Sequence, residues 1–186
     1  MTAPNAGPPR ACGTCTLCCK VMGIHELEKP LGQWCPHCKP GRGCGIYDAR
    51  PGSCRTFTCG WLADPNMPDE MRPDRCKVVL YFTPNGERMV AQCDPSQPLA
   101  WRREPIYGAL KRWAPAAWAQ GKMITVLAGD RMWVLTPTRE VDLGVVDPEA
   151  RLAIAEWPDG SVEVKVVSKA EAELAGADAR PGRLGP

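Results

Sequence analysis

The sequence predicts an α+β chain in which a loop-rich, cysteine-dense N-terminal region packs on a small antiparallel sheet with one helix. Three observations predict it. Nine of the eleven cysteines fall between Cys12 and Cys59, and none follows Gln97. From Cys12 to about Asp74, Gly and Pro recur (KPLG, KPGRGCG, RPGSC, DPNMP), so neither a helical nor an alternating apolar period is sustained. After Cys76 short β-type runs begin, separated by turn signals and by a single helical run.

The elements follow in order. Residues 1–10 (MTAPNAGPPR) read as a flexible tail, residues 11–75 as the cysteine-rich region, 76–168 as an α+β module and 169–186 as a second flexible tail, with room for a short helix at Lys169–Ala175. Lys77–Thr83 and Glu87–Asp94 flank Pro84-Asn85-Gly86 and predict a hairpin. Glu104–Gln120 predicts a helix, with Pro105 in its first turn and Pro115 kinking or breaking it. Lys122–Ala128 and Arg131–Thr136 join through Gly129-Asp130, Glu140–Val146 adds a strand, and Arg151–Trp157 pairs with Ser161–Val167 through Pro158-Asp159-Gly160. Val162, Val164 and Val166 share one face of the last strand.

Composition narrows the function. At 186 residues and 44% apolar the chain can bury a modest core, and 23 basic against 21 acidic side chains leave a formal charge of +2, without the dense positive surface that grips phosphates. Nucleic acid is therefore not the expected partner. No apolar run approaches the roughly 20 residues that cross a bilayer, and Met1–Cys12 lacks the apolar stretch of a secretory signal. The reading is cytoplasmic with no membrane partner, a compartment where thiols stay reduced unless a metal or a redox cycle employs them.

Between Cys12 and Cys59 there is too little aliphatic side chain to offset chain entropy, and metal coordination is the available substitute. Cys12, Cys15, Cys18 and Cys19 form a C-x2-C-x2-C-C string. A C-x2-C turn aims two sulfurs at one ion, because thiolates sit about 2.3 Å from zinc. Zinc and four-iron clusters both take four thiolates, so spacing leaves zinc, iron and an iron–sulfur cluster open. Adjacent Cys18 and Cys19 are expected to diverge, which argues for two sites or one bridged polynuclear site. Cys35, Cys38, Cys44, Cys54 and Cys59 complete nine candidate ligands, enough for two tetrahedral ions with one thiol left over, or with His25 or His37 replacing a thiol. Eight thiolates with two divalent ions would move the formal charge to about −2, and Lys20, Lys39, Arg42, Arg50 and Arg55 are the nearby cations that could offset it. Ile46, Tyr47, Phe57 and Trp61 are the apolar groups that could screen sulfur from water.

The stretch Cys44-Gly45-Ile46-Tyr47-Asp48-Ala49-Arg50-Pro51-Gly52-Ser53-Cys54-Arg55-Thr56-Phe57-Thr58-Cys59, taken with CGTCTLCC, resembles the YkgJ-like cysteine-cluster family of zinc- or iron-chelating domains. The resemblance covers about residues 12–62 and leaves the C-terminal half unaddressed. It implies metal-ligand roles for Cys12, Cys15, Cys18, Cys19, Cys44, Cys54 and Cys59, with Cys35 and Cys38 sharing the remaining role, and it implies no reaction.

Other readings are weaker. Cys76 and Cys93 flank the first hairpin; a turn centred on Pro84-Asn85 would set them opposite each other, and two small buried thiols outweigh a metal role there. Thiol–disulfide chemistry wants a reactive cysteine at a helix N-terminus in a βαβ setting, which the surroundings of Cys12 and Cys35 do not predict. Trp101, Arg102, Arg103, Lys111, Arg112 and Trp113 mix aromatics with charge, as an RNA or acidic-partner surface does, and as the solvated face of a helix also does. The C-terminal module is the surface expected for a protein partner, and the alternative to a zinc- or iron-holding protein is an iron–sulfur protein acting in electron transfer or as an accessory component of an oxidoreductase. No phosphate-cradling loop, nucleophile elbow or HExxH motif is present, so no catalytic residue is assigned.

Overall fold

The computed structural model describes residues 10–157 and 161–174. The Pro158-Asp159-Gly160 turn and most of both predicted tails lie outside the described residues. The cysteine-rich region is built from very short elements: α1 (Leu17–Val21), β1 (Cys38–Lys39), β2 (Gly43–Cys44), α2 (Gly52–Thr56), α3 (Gly60–Ala63) and α4 (Pro73–Cys76). The second half contains β3 (Val78–Phe82), β4 (Arg88–Cys93), α5 (Ile106–Ala119), β5 (Met123–Ala128), β6 (Arg131–Leu135), β7 (Glu140–Val145), β8 (Arg151–Glu156), β9 (Val162–Val167) and α6 (Lys169–Leu174).

The α+β class and its small sheets are present, and the sheet differs from the expected one in a specific way. Five strands order as β3-β4-β5-β6-β7, and the β4–β5 pair is parallel while its neighbours are antiparallel. The cause is α5: a helix between two adjacent strands returns the chain to the same end of the sheet, which only a crossover connection allows. The resulting central strand β5 is buried at every position, and its sequence MITVLA is apolar except for Thr125, with no alternation. Strands β8 and β9 form a separate antiparallel hairpin.

The predicted break at Pro115 does not occur; α5 runs unbroken over 14 residues. Ile106, Ala109, Leu110 and Ala114 form its buried stripe, while Pro115 and Lys111 are exposed. The helical bond that Pro115 cannot donate is therefore lost on the solvent side, where water can bond the Lys111 carbonyl. Pro105 caps the helix rather than entering its first turn, and its carbonyl accepts from the Ala109 amide at 3.2 Å.

Both faces of the sheet are covered. Val78, Leu80, Ile124, Val126 and Leu135 pack with Ile106 and Leu110 of α5 and with Trp101. On the other face Val90, Leu127, Met132 and Val134 pack with Leu152, Val162 and Val164 of the β8–β9 hairpin. The β3 end of that face carries Val79, against which Leu17, Val21, Cys59 and Trp61 of the cysteine-rich region are seated, with Phe57 edge-on to Tyr81 at 5.5 Å. Each fully buried aliphatic side chain contributes about 1.5–3 kcal/mol. Trp101 is itself 0% exposed, so it offers no ring for a base to stack on. Among the described residues no helix is long and apolar enough to cross a membrane.

The first hairpin also corrects a register. The Gly86 amide bonds the Thr83 carbonyl at 2.8 Å, with Gly86 at φ +70°, and the loop opens to four residues. Cys93 consequently faces Val78, and Cys76 lies in α4 ahead of the strand. Its thiol donates to the carbonyls of Val78 (3.2 Å) and Met71 (3.4 Å), and both cysteines pack with the α5-side core.

Candidate metal centre

Two C-x2-C turns are closed by backbone hydrogen bonds. The Cys15 amide donates to the Cys12 carbonyl at 2.8 Å, and the Cys38 amide to the Cys35 carbonyl at 3.0 Å. A third bond, from the Cys35 amide to the Cys19 carbonyl at 2.9 Å, ties the second turn to α1, which carries Cys18 and Cys19. The β1–β2 ladder sets Cys38 directly across from Cys44. The chain leaves that ladder at Gly45, whose amide bonds the His37 carbonyl at 2.8 Å; a Cβ there would stand 3.0 Å from the same oxygen, so a side chain would push the strands apart.

The last two candidates arrive on helices. Cys54 lies in α2, whose start is held by Glu26: its carboxylate accepts from the Ser53 amide (2.9 Å) and hydroxyl (2.7 Å). Those bonds draw the Glu26 carboxyl down to about 2. Cys59 caps α3, is buried, and sits beside Trp61. The Trp61 ring is flanked by Arg10 at 4.4 Å and Arg72 at 5.4 Å. Arg10, at the end of the predicted leading tail, also donates to the carbonyls of Trp61 (2.8 Å), Asp64 (2.9 Å), Pro65 (3.0 Å) and Met67 (2.7 Å).

Electrostatics groups the thiols into two neighbourhoods, linked through the pair Cys12 and Cys19. In the first, Cys19 is pushed up by hydrogen bonding to the adjacent Cys18 thiol, then by burial, while Cys38 and Lys29 act in the opposite sense. Cys18 and Cys19 therefore act on each other, while no group among the described residues draws both to one ion. Burial first and Cys19 second raise Cys38 to about 12. Cys54 is raised by burial and by Cys19, Cys35 and Cys44. In the second neighbourhood burial raises Cys12, helped by Cys59, and raises Cys59, helped by Cys15. Burial raises Cys15 too, with Asp74 adding to it, and lifts Cys76 to about 11 with Cys15 and Asp74 contributing.

All eleven thiols are free. Among the described residues, no three His, Cys, Asp or Glu side chains form a group that could hold a metal ion, so the metal-stapled arrangement expected from sequence is not confirmed. The donors fit zinc or iron in kind, as free soft thiols carried on closed C-x2-C turns. Burial raises several of these thiols and so favours their protonated form, and metal binding would have to expel protons as it draws the sulfurs in.

The remaining sequence candidates separate. His25 and His37 are both exposed. Lys20 is engaged elsewhere, paired with Asp94 at 2.6 Å, and Arg55 donates to the backbone carbonyls of Arg50 and Asp48. Arg50 stacks on Tyr47 at 3.9 Å and partly opposes the burial that raises the Cys12 thiol. Tyr47 is 48% exposed and screens little, whereas Trp61 is buried. The cation that sequence reading missed is Lys29, 6% exposed. Its Nζ donates to the carbonyls of Lys20 (3.1 Å), Met22 and Pro30 (3.0 Å). No local signal marks it, since its position depends on the chain folding back through the Ile24–Lys29 bridge.

No family model, curated protein or solved structure matches the chain.

Proposed function

We propose that this is a cytoplasmic metal-binding protein that holds zinc or iron through the thiolates of its N-terminal region, either to complete that region's fold or to keep the metal for transfer. The carrying observation is the gathering of nine thiols within 48 residues, none of them in a disulfide. Free thiols in such number belong in a reducing compartment, and soft sulfur donors select zinc and iron over hard cations such as magnesium. The likeness of residues 12–62 to the YkgJ-like pattern supports the same chemistry.

Elemental analysis of the full chain, purified without oxygen, tests the proposal. Stoichiometric zinc or iron is the expected result, and chelation should then release amide-exchange protection across residues 12–59 while strands β3–β6 keep theirs. Visible absorption that bleaches on reduction would identify an iron–sulfur cluster as the form of the metal. Protein with all its thiols reduced and neither metal present in stoichiometric amount overturns the proposal.

A further inference from the structure

A buried ammonium is costly unless it is bonded and balanced by opposite charge. Lys29 is bonded by three carbonyls, two of them from the end of α1, where helical carbonyls lack amide donors. It has no carboxylate partner: none of the ion pairs among the described residues includes it. Burial lowers the pKa of its ammonium, and the groups that act against that loss of charge are sulfurs, those of Cys35, Cys19, Cys18 and Cys54. The backbone explains the proximity, because α1 carries Cys18 and Cys19 and supplies the Lys20 carbonyl, and the Cys35 amide is bonded to Cys19.

We propose that the Lys29 ammonium is a fixed counter-charge for this first group of sulfurs, favouring a divalent metal held in an all-thiolate shell. The inference rests on the metal-binding reading above. A divalent ion with four thiolates carries a charge of about −2, and an interior site that holds such an anion needs compensation nearby. Lys29 cancels one of those charges from a position that water does not screen. Of the five cations that sequence proximity favoured, Lys20 is neutralised by Asp94 and Arg50 acts on Cys12 of the second neighbourhood.

The test is a Cd2+ titration of the reduced, metal-free full chain, followed by sulfur-to-cadmium absorption in competition with a chelator. Lys29→Gln should weaken one class of sites by about 10–100-fold and the other far less, the usual size of the loss when a group that supports the metal's ligands is removed. Cys15→Ser, in the second neighbourhood, should weaken the opposite class. Lys29→Arg, which keeps the charge, should restore most of the loss. Wild-type affinity in Lys29→Gln overturns the inference, and so does an equal loss in Lys29→Gln and Lys29→Arg, which would leave Lys29 only a clasp for carbonyls. If circular dichroism shows Lys29→Gln unfolded, Lys29→Met supplies the neutral side chain without a buried amide. Wild-type protein that takes up no Cd2+ removes the metal reading and this inference together, an outcome told apart by the wild-type titration alone.

Discussion

The two halves of the molecule solve the problem of stability differently. From Val78 onward, apolar strands and one helix bury side chains on both sheet faces. Among the described residues before Val78, the buried apolar side chains other than cysteine are Leu17, Val21, Ile24, Trp61, Met71 and Pro73. Leu17, Val21 and Trp61 are seated on Val79 of the sheet, so the cysteine-rich region borrows part of its core from its neighbour. This region is held by packing where Leu17, Val21, Cys59 and Trp61 meet the sheet, and elsewhere by short turns that carry most of its thiols.

The largest effect that tests the contrast belongs in the sheet half. Leu110 is 0% exposed between α5 and the sheet, and Leu110→Ala should cost about 2–5 kcal/mol in urea unfolding, as core truncations do. A cost below about 1 kcal/mol would mean that the sheet is not the stabilising half, since even a typical point mutation loses that much.

The junction between the halves sharpens the comparison next. Lys20 of α1 meets Asp94, just beyond β4, with side-chain exposures of 16% and 10%, and Asp94 also accepts from the Ser96 amide and hydroxyl. Burial pushes the Asp94 carboxyl up, and the bonds from Lys20 and Ser96 outweigh it, so it lies below its ordinary 3.8. A depressed folded pKa means that this stabilisation is complete above pH 3.8 and is lost as pH falls through the lower folded value. Asp94→Asn should cost about 1–3 kcal/mol near neutral pH and remove that acid-side dependence. Hydrogen exchange should show the cysteine-rich amides opening more often, with the sheet amides unaffected. Equal loosening of both halves would show that they open as one unit.

Legibility in the sequence divided along the same line. Strands β3 to β9 were readable because β-branched and apolar runs end at turn residues, and α5 because its apolar residues recur at helical spacing. The parallel β4–β5 pair was not, because MITVLA lacks the alternation that would have shown which faces it buries and only the crossover fixes its direction. The cysteine spacings predicted closed turns at Cys12–Cys15 and Cys35–Cys38, and both are present. Which turn stands beside which helix was illegible, since Lys29, Asp74 and Cys76 enter the thiol neighbourhoods through tertiary folding that no short-range pattern encodes.

The smallest effect probes how far the cysteine-rich region depends on single polar clasps. Glu26 is exposed, yet it bonds both the amide and the hydroxyl of Ser53 at the start of α2, where Cys54 lies. Such a bond satisfies one of the amides left unpaired at a helix start. With the carboxyl drawn from 4.5 to about 2, the clasp is complete above pH 4.5 and fails as pH falls through about 2. The Ser53 amide resonance should titrate with a midpoint near 2, measured by NMR. Glu26→Gln should abolish that titration and reduce exchange protection in α2 alone, leaving β3–β6 unchanged. A midpoint near 4.5 would show that Glu26 spends most of its time in solvent, in which case the placement of Cys54 falls to the Pro51–Arg55 backbone bond and to any metal that the thiols hold.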